Sequence, residues 1–192
     1  MTNEEIVPAG LENIVVRPAT GADMDAVQNI YAYYVLHSAA SFEIIPPAAP
    51  ELADRRQASL QLGLPYLVAE QQGGEIVGYC YASTYRPRPA YRYTIEDSVY
   101  ISPTYLGQGI GHLLLSSLIR ECEATDRWRQ MITVIGDSAN HGSIALHRRL
   151  GFEQIGRIRS AGFKFDRWVN SVLMQRALNG GDFNPPAQVT GS

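Results

Sequence analysis

The apolar positions of this chain switch repeatedly between strand-like and helix-like spacing, and the switches divide it into elements. A β-rich run at Ile14-Val15-Val16-Arg17 opens the series. Thr20, with Asp23 three residues on, begins a helix in the manner of a capping box. Met24, Val27, Ile30, Tyr31, Tyr34 and Val35 then recur at helical spacing, which predicts one buried stripe. A second helix is predicted from Pro50 to Leu62. The runs Tyr66 to Glu70 and Ile76 to Tyr81, joined through Gly73-Gly74, read as a hairpin. A loop over 85–93, rich in Arg, Pro and Tyr, leads to a strand at Thr94 to Ile101, a glycine loop and a helix from about Gly109 to Ala124. Leu114, Leu115, Leu118, Ile119 and Cys122 give that helix its apolar face. Next come a strand at Met131 to Ile135 and a helix at about Gly142 to Leu150 stopped by Gly151. Two closing strands follow, near Phe152 to Arg159 and Ser171 to Gln175. The order is mixed α/β, with no internal repeat. Residues 1–12 and 179–192 lack periodicity and are expected to be flexible, which leaves 13–178 as a single domain.

Composition agrees with one domain, because 192 residues with 45% hydrophobic content can bury a substantial core. A net charge of -3 gives no general attraction for nucleic acid or an anionic membrane, so any basic feature that matters is local. No apolar run approaches the roughly 20 residues of a membrane span, and the first ten residues carry acids where a secretory signal would carry lysines; a cytoplasmic protein is expected. Cys80 and Cys122 sit in apolar runs with no neighbouring thiol, which favours buried free thiols over a metal knuckle or disulfide, and no metal site is expected.

The strongest local signal is Gly107-Gln108-Gly109-Ile110-Gly111, set directly between a strand and a helix. A chain without side chains can turn tightly there and aim successive N-H groups at one point, where the helix dipole adds about half a positive charge. That suits a pyrophosphate. A dinucleotide G-x-G-x-x-G read from Gly107 fails because His112 stands where the last glycine belongs, and no G-K-[ST] follows for a P-loop. Alone, the loop is equally a tight strand-to-helix connection.

Its surroundings carry more. Leu106 to Gly111 resembles the R/Q-x-x-G-x-G/A pyrophosphate motif of the GNAT acetyltransferase superfamily, and NHGSIALHRRLGF at 140–152 resembles the next cofactor-side motif, in the same order and spacing. SFE at 41–43, PYLVAE at 65–70, RYTIEDSVYISP at 92–103 and AGFKFDRW at 161–168 are similar to the branch that acetylates phosphinothricin and methionine sulfoximine. The motif's first position is Leu106 here, so a side-chain contribution to the loop is absent and backbone donors must serve.

The resemblance implies a GNAT fold: a mixed, mostly antiparallel central sheet with about four flanking helices. It implies acetyl-CoA as co-substrate, a small amine as acceptor and a homodimer. The backbone of Val99, Tyr100 and Ile101 would pair with the pantetheine arm, and Gly107, Gln108, Gly109, Ile110, Gly111 and His112 would hold the pyrophosphate. Asn140 would either cap a helix or meet the pantetheine amide. Glu96 takes the place of the family's base, which an ammonium substrate requires. Asp97 points to the opposite strand face and is the weaker candidate. His147 falls where many superfamily members have the tyrosine that protonates the departing thiolate; it would act as that acid, contact substrate or be structural. Phe42 and Glu43 match a segment that helps form the substrate pocket.

From the residues themselves, Arg86, Arg88, Tyr91 and Arg92 concentrate guanidinium and aromatic groups just before Glu96. In an acidic chain this suggests a clamp for a carboxylate or phosphinate, as opposed to exposed basic surface. Two other functions compete with a small-molecule N-acetyltransferase: a protein or peptide N-terminal acetyltransferase, and a non-catalytic acyl-CoA sensor.

Overall fold

Seven strands and four helices are built by residues 11–183, the part of the chain that the computed structural model describes. In order they are β1 (Ile14–Pro18), α1 (Met24–His37), α2 (Ala49–Gln61), β2 (Tyr66–Gln71), β3 (Ile76–Thr84), β4 (Thr94–Ile101), α3 (Ile110–Glu123), β5 (Gln130–Gly136), α4 (His141–Arg149), β6 (Glu153–Lys164) and β7 (Arg167–Ala177). One sheet runs β1-β2-β3-β4-β5-β7-β6, antiparallel except for the parallel pair β4–β5. This is the expected mixed, mostly antiparallel α/β architecture.

Two cores follow from the period-two alternation of the strands. On one face Ile95 of β4 packs with Leu114, Leu115, Leu118 and Cys122 of α3 and Met131 of β5. On the other, Val27, Ile30, Tyr31 and Val35 of α1 and Leu52 of α2 cover Val68 and Tyr79. Each buried leucine or valine stabilises the fold by about 1.5–3 kcal/mol, so the α1 and α3 stripes alone anchor both layers. The expected start at Thr20 takes a tighter form: one 3-10 turn at Gly21–Asp23 precedes α1, and the Thr20 N-H and hydroxyl both donate to Asp23 Oδ2.

The closing hairpin reaches further than its apolar pattern predicts. β6 and β7 extend to Lys164 and Arg167 and turn on Phe165 and Asp166, which have φ of 52° and 54°. A two-residue turn with both central residues left-handed matches the twist of the strands. The folded unit also passes the expected limits of 13 and 178, because Leu11 is buried beside Gly109 and the Asn179 side chain donates to Trp128 O. Residues 1–10 and 184–192, where the flexible ends were expected, lie outside the described part. Cys80 and Cys122 are buried free thiols. Among the described residues no helix is long and apolar enough to cross a membrane, and no group of three His, Cys, Asp or Glu residues could hold a metal.

The feature that positions the site is a parting of strands. β4 and β5 pair only over Thr94–Asp97 and Gln130–Thr133, and beyond that point no ladder joins them.

Candidate active site

A cleft of about 830 Å³ occupies the wedge between the parted ends of β4 and β5, and reaches the glycine loop and α4. Its β4 wall carries open backbone. Ser102 N-H donates to Val77 O at 2.8 Å, which sets the phase of the β3–β4 ladder. In an antiparallel pair the bonded residues alternate, so Tyr100 and Ser98 also face β3, while Val99 and Ile101 turn their groups toward the missing neighbour. Tyr34 Oη takes one of them, donating to Ile101 O at 2.6 Å. The Val99 N-H and C=O and the Ile101 N-H are left for an extended, amide-bearing chain to pair with.

The glycine loop supplies donors at the mouth of the cleft. Gly107 and Gly109 have φ of +77° and +89°, which only glycine adopts at little cost, and Gly109 is the N-cap of α3. Leu113 N-H reaches back to Gly109 O, so the N-H groups of Ile110, Gly111 and His112 have no partner inside the helix. A Cβ on Gly111 would come within 3.1 Å of Leu146 Cδ2, so this glycine lets α4 sit close against α3. Gly107, Gly109, Ile110, Gly111 and His112 all line the cleft. Gln108 does not, and its amide donates back to Thr104 O at 3.3 Å. Leu106 lines the cleft as an exposed apolar side chain. Asn140 Oδ1 accepts the Ser143 N-H at 3.2 Å as the cap of α4, and the residue also borders the cleft.

At the crotch of the wedge two acids sit back to back on β4. Glu96, half-buried, shares a face with Ser98 and Tyr100; both of those line the cleft, whereas the Glu96 side chain itself does not. Burial first, and then the negative charge of Asp97, push the Glu96 carboxyl up to about 7. Asp97 faces α3 and α4 and is buried. Its Oδ2 lies 3.0 Å from His147 Nε2, while its Oδ1 is buried without a partner. His147 Nδ1 lies 2.8 Å from Ser143 O, an acceptor, and so carries a proton. Burial opposes charge on this ring, but the Asp97 charge, its hydrogen bond and the Ser143 carbonyl outweigh it and raise the imidazole's pKa. Both ring nitrogens are therefore engaged within the protein, so the ring has no spare N-H for a departing thiolate.

The remaining expected residues lie apart from this cleft. Arg86, Arg88 and Arg92 are exposed on the β3–β4 loop. Arg86 stands over the Tyr85 and Tyr91 rings at 5.1 and 5.8 Å, and Arg92 folds onto Tyr93 and the Pro89 carbonyl. Phe42, on the segment after α1, packs against Gly162 of β6. The Asp97–His147 pair and the Tyr34 bond were not predicted as contacts. An ionisable residue between Ile95 and Val99 on a core-facing stripe was the available signal, since a buried carboxylate needs a partner.

The acetyltransferase (GNAT) family profile matches residues 30–152. A phosphinothricin N-acetyltransferase of Alcaligenes faecalis is 51% identical over 171 residues, 89% of this chain and 86% of that protein. An L-methionine sulfoximine/L-methionine sulfone acetyltransferase of Salmonella typhimurium is 36% identical over 167 residues, 86% of this chain and 95% of that protein. The crystal structure of a GNAT superfamily phosphinothricin acetyltransferase from Sinorhizobium meliloti, in complex with acetyl-CoA, matches with a TM-score of 0.88 at 43% identity. It covers 92% of this chain and 95% of that one.

Proposed function

Because the chain belongs to the acetyltransferase (GNAT) family, we propose that it moves an acetyl group from acetyl-CoA to the primary amine of a small amino-acid-like compound of the phosphinothricin, methionine sulfoximine or methionine sulfone type. The observation that carries the reading is the wedge, which brings open backbone on β4 and the free N-H groups of a helix start into one cleft; Glu96, whose carboxyl is raised to about 7, lies on the strand that walls it. Acetyl-CoA supplies an activated thioester when bound. The loop N-H groups of 107–112 hold its pyrophosphate, and the Val99 and Ile101 backbone pairs with its arm, with an N-H directed at the developing oxyanion. Glu96 removes a proton from the ammonium, directly or through water. His147 acts through Asp97, holding α4 against β4 where the strands part. Thiolate release needs no acid there, since a thiol of pKa about 8.5 is a tolerable leaving group.

Gly109→Ala tests the loop. A side chain at φ +89° costs about 1–2 kcal/mol, which is relieved by rotating the peptide away from its ligand; acetyl-CoA affinity falls about tenfold with helix content unchanged. Unchanged affinity in calorimetry would remove the loop from the binding site.

Thiol release with a panel of amines tests the function itself. Phosphinothricin and methionine sulfoximine are turned over well, peptides and uncharged amines poorly. Equal turnover of peptides would favour an N-terminal acetyltransferase, and no turnover of any amine an acyl-CoA sensor. The exposed arginines, apart from the cleft, act in this reading by long-range steering: each of Arg86→Ala and Arg88→Ala raises the amino-acid KM by up to about fivefold, the range of a solvated pair. A homodimer belongs to the same proposal, supported by Ile155, Phe163 and Trp168 exposed on the β6–β7 hairpin; a sedimenting mass of one chain would remove it.

A further inference from the structure

Lys164, the last residue of β6, is only 6% exposed, and its ammonium donates to Ser41 O at 2.7 Å and Ser38 O at 2.8 Å, main-chain groups 123 and 126 residues away. None of the ion pairs among the described residues includes it. Taking an ammonium out of water without a carboxylate partner is costly, and burial accordingly lowers its pKa from lysine's ordinary value, with the Glu43 charge opposing. An apolar side chain would fill the place at less cost. The ammonium is therefore best understood by what it holds.

It holds the segment 38–43, which follows α1 and whose Ser38, Ala39 and Ala40 line the cleft. Every side of this segment is fixed. A Cβ on Gly136, at the parted end of β5, would lie 2.1 Å from Ala39 O, so the segment's backbone rests on the strand itself. A Cβ on Gly162 would lie 2.7 Å from the Phe42 ring. Ser41 Oγ meets Tyr31 Oη at 2.9 Å, and Glu43 accepts from Tyr31 and from Arg55 of α2. Tyr31 in turn packs edge-on against Tyr100, on the same strand face as Glu96. Lys164 and Gly162 are the contribution of β6, across the wedge from α1.

We propose that Lys164 is a positioning residue for the amine substrate: by gripping the Ser38 and Ser41 carbonyls it fixes the segment 38–43 as one wall of the cleft, and thereby sets the fit of the amine without touching the acyl donor. This rests on the amine-acetylating function above. The segment borders the cleft from the α1 side, whereas the groups offered to the donor come from the glycine loop, the Val99 backbone and α4.

Lys164→Met keeps the stem and deletes the donors. Displacing a wall by about 1 Å can cost on the order of a hundredfold, so we expect the amine KM to rise at least about tenfold while the acetyl-CoA KM stays within about threefold. Lys164→Arg, which keeps charge and donors, falls between Met and wild type. Gly162→Ala pushes Phe42 from the other side with Lys164 intact and gives the same split, so the proposal remains testable if the Met variant does not fold. An unchanged amine KM in the folded variants, or equal rises for both substrates, overturns it. Wild-type protein that acetylates no amine would instead remove the function on which it rests.

Discussion

Replacing Glu96 with glutamine lowers turnover by about 10²–10⁴-fold, the usual range for loss of a general base, and leaves acetyl-CoA affinity nearly unchanged. The size follows from the task. An amino-acid ammonium is protonated at neutral pH, and attack on a thioester needs its lone pair. A carboxyl raised to about 7 by burial and by Asp97 is a far better acceptor than one at its ordinary 4.5, yet it is still ionised for much of the time at neutral pH. Wild-type kcat/KM therefore falls as pH drops below about 7 and Glu96 protonates; the glutamine variant has no such limb. Stability runs the other way. Because folding raises this carboxyl, ionisation is less favourable in the native state, and the wild type loses stability as pH rises from about 4.5 through 7. Glu96→Gln lacks that loss and melts higher at pH 8. A variant with wild-type turnover would eliminate Glu96 as the base, whatever its melting temperature.

Asp97→Ala costs about 3–5 kcal/mol of stability, because it strands a buried imidazole that now has no counter-charge. The pH dependence identifies the pair. His147 is raised in the folded state, so its contribution is fully present below the unfolded value near 6.5 and is lost as pH rises through the higher folded value. Urea midpoints of the wild type should decline more steeply as pH rises above about 6.5 than those of Asp97→Ala, in which only the Glu96 loss remains, up to about 7. The thiols of Cys80 and Cys122, whose own pKa values the Asp97 charge raises, do not confuse the reading: burial pushes Cys122 up to about 12 and Cys80 well above its ordinary value. A midpoint unaffected by Asp97→Ala would mean that the two side chains do not share a proton in solution.

Much of this fold is legible from the residues, because its elements announce themselves by periodicity and by glycine. α1 and α3 follow their apolar stripes, and the Gly107–Gly111 run lies where the chain must turn left-handed between strand and helix. The long β6–β7 hairpin was harder to see. Its turn uses Phe165-Asp166 in place of an Asn-Gly or Asp-Gly pair, so nothing local marks the reversal, and its outward apolar residues blur the alternation. The candidate site divides along the same line. The loop donors follow from the glycine pattern and the back-to-back acids from strand period, while the open backbone of Val99 and Ile101 was implied by the family resemblance. The pairing of Asp97 with His147 and the grip of Lys164 on Ser38 and Ser41 join residues far apart in sequence, and no local pattern encodes which buried charge meets which partner.

The parting of β4 and β5 also has a mechanical side. β3–β4 and β5–β7 are each zipped along their length, whereas the strand ladder between the two halves of the sheet spans only Thr94–Asp97. A load pulling those halves apart would act on the seam of this short ladder, beside the residue proposed as the base. Lys164 is a stitch across that seam.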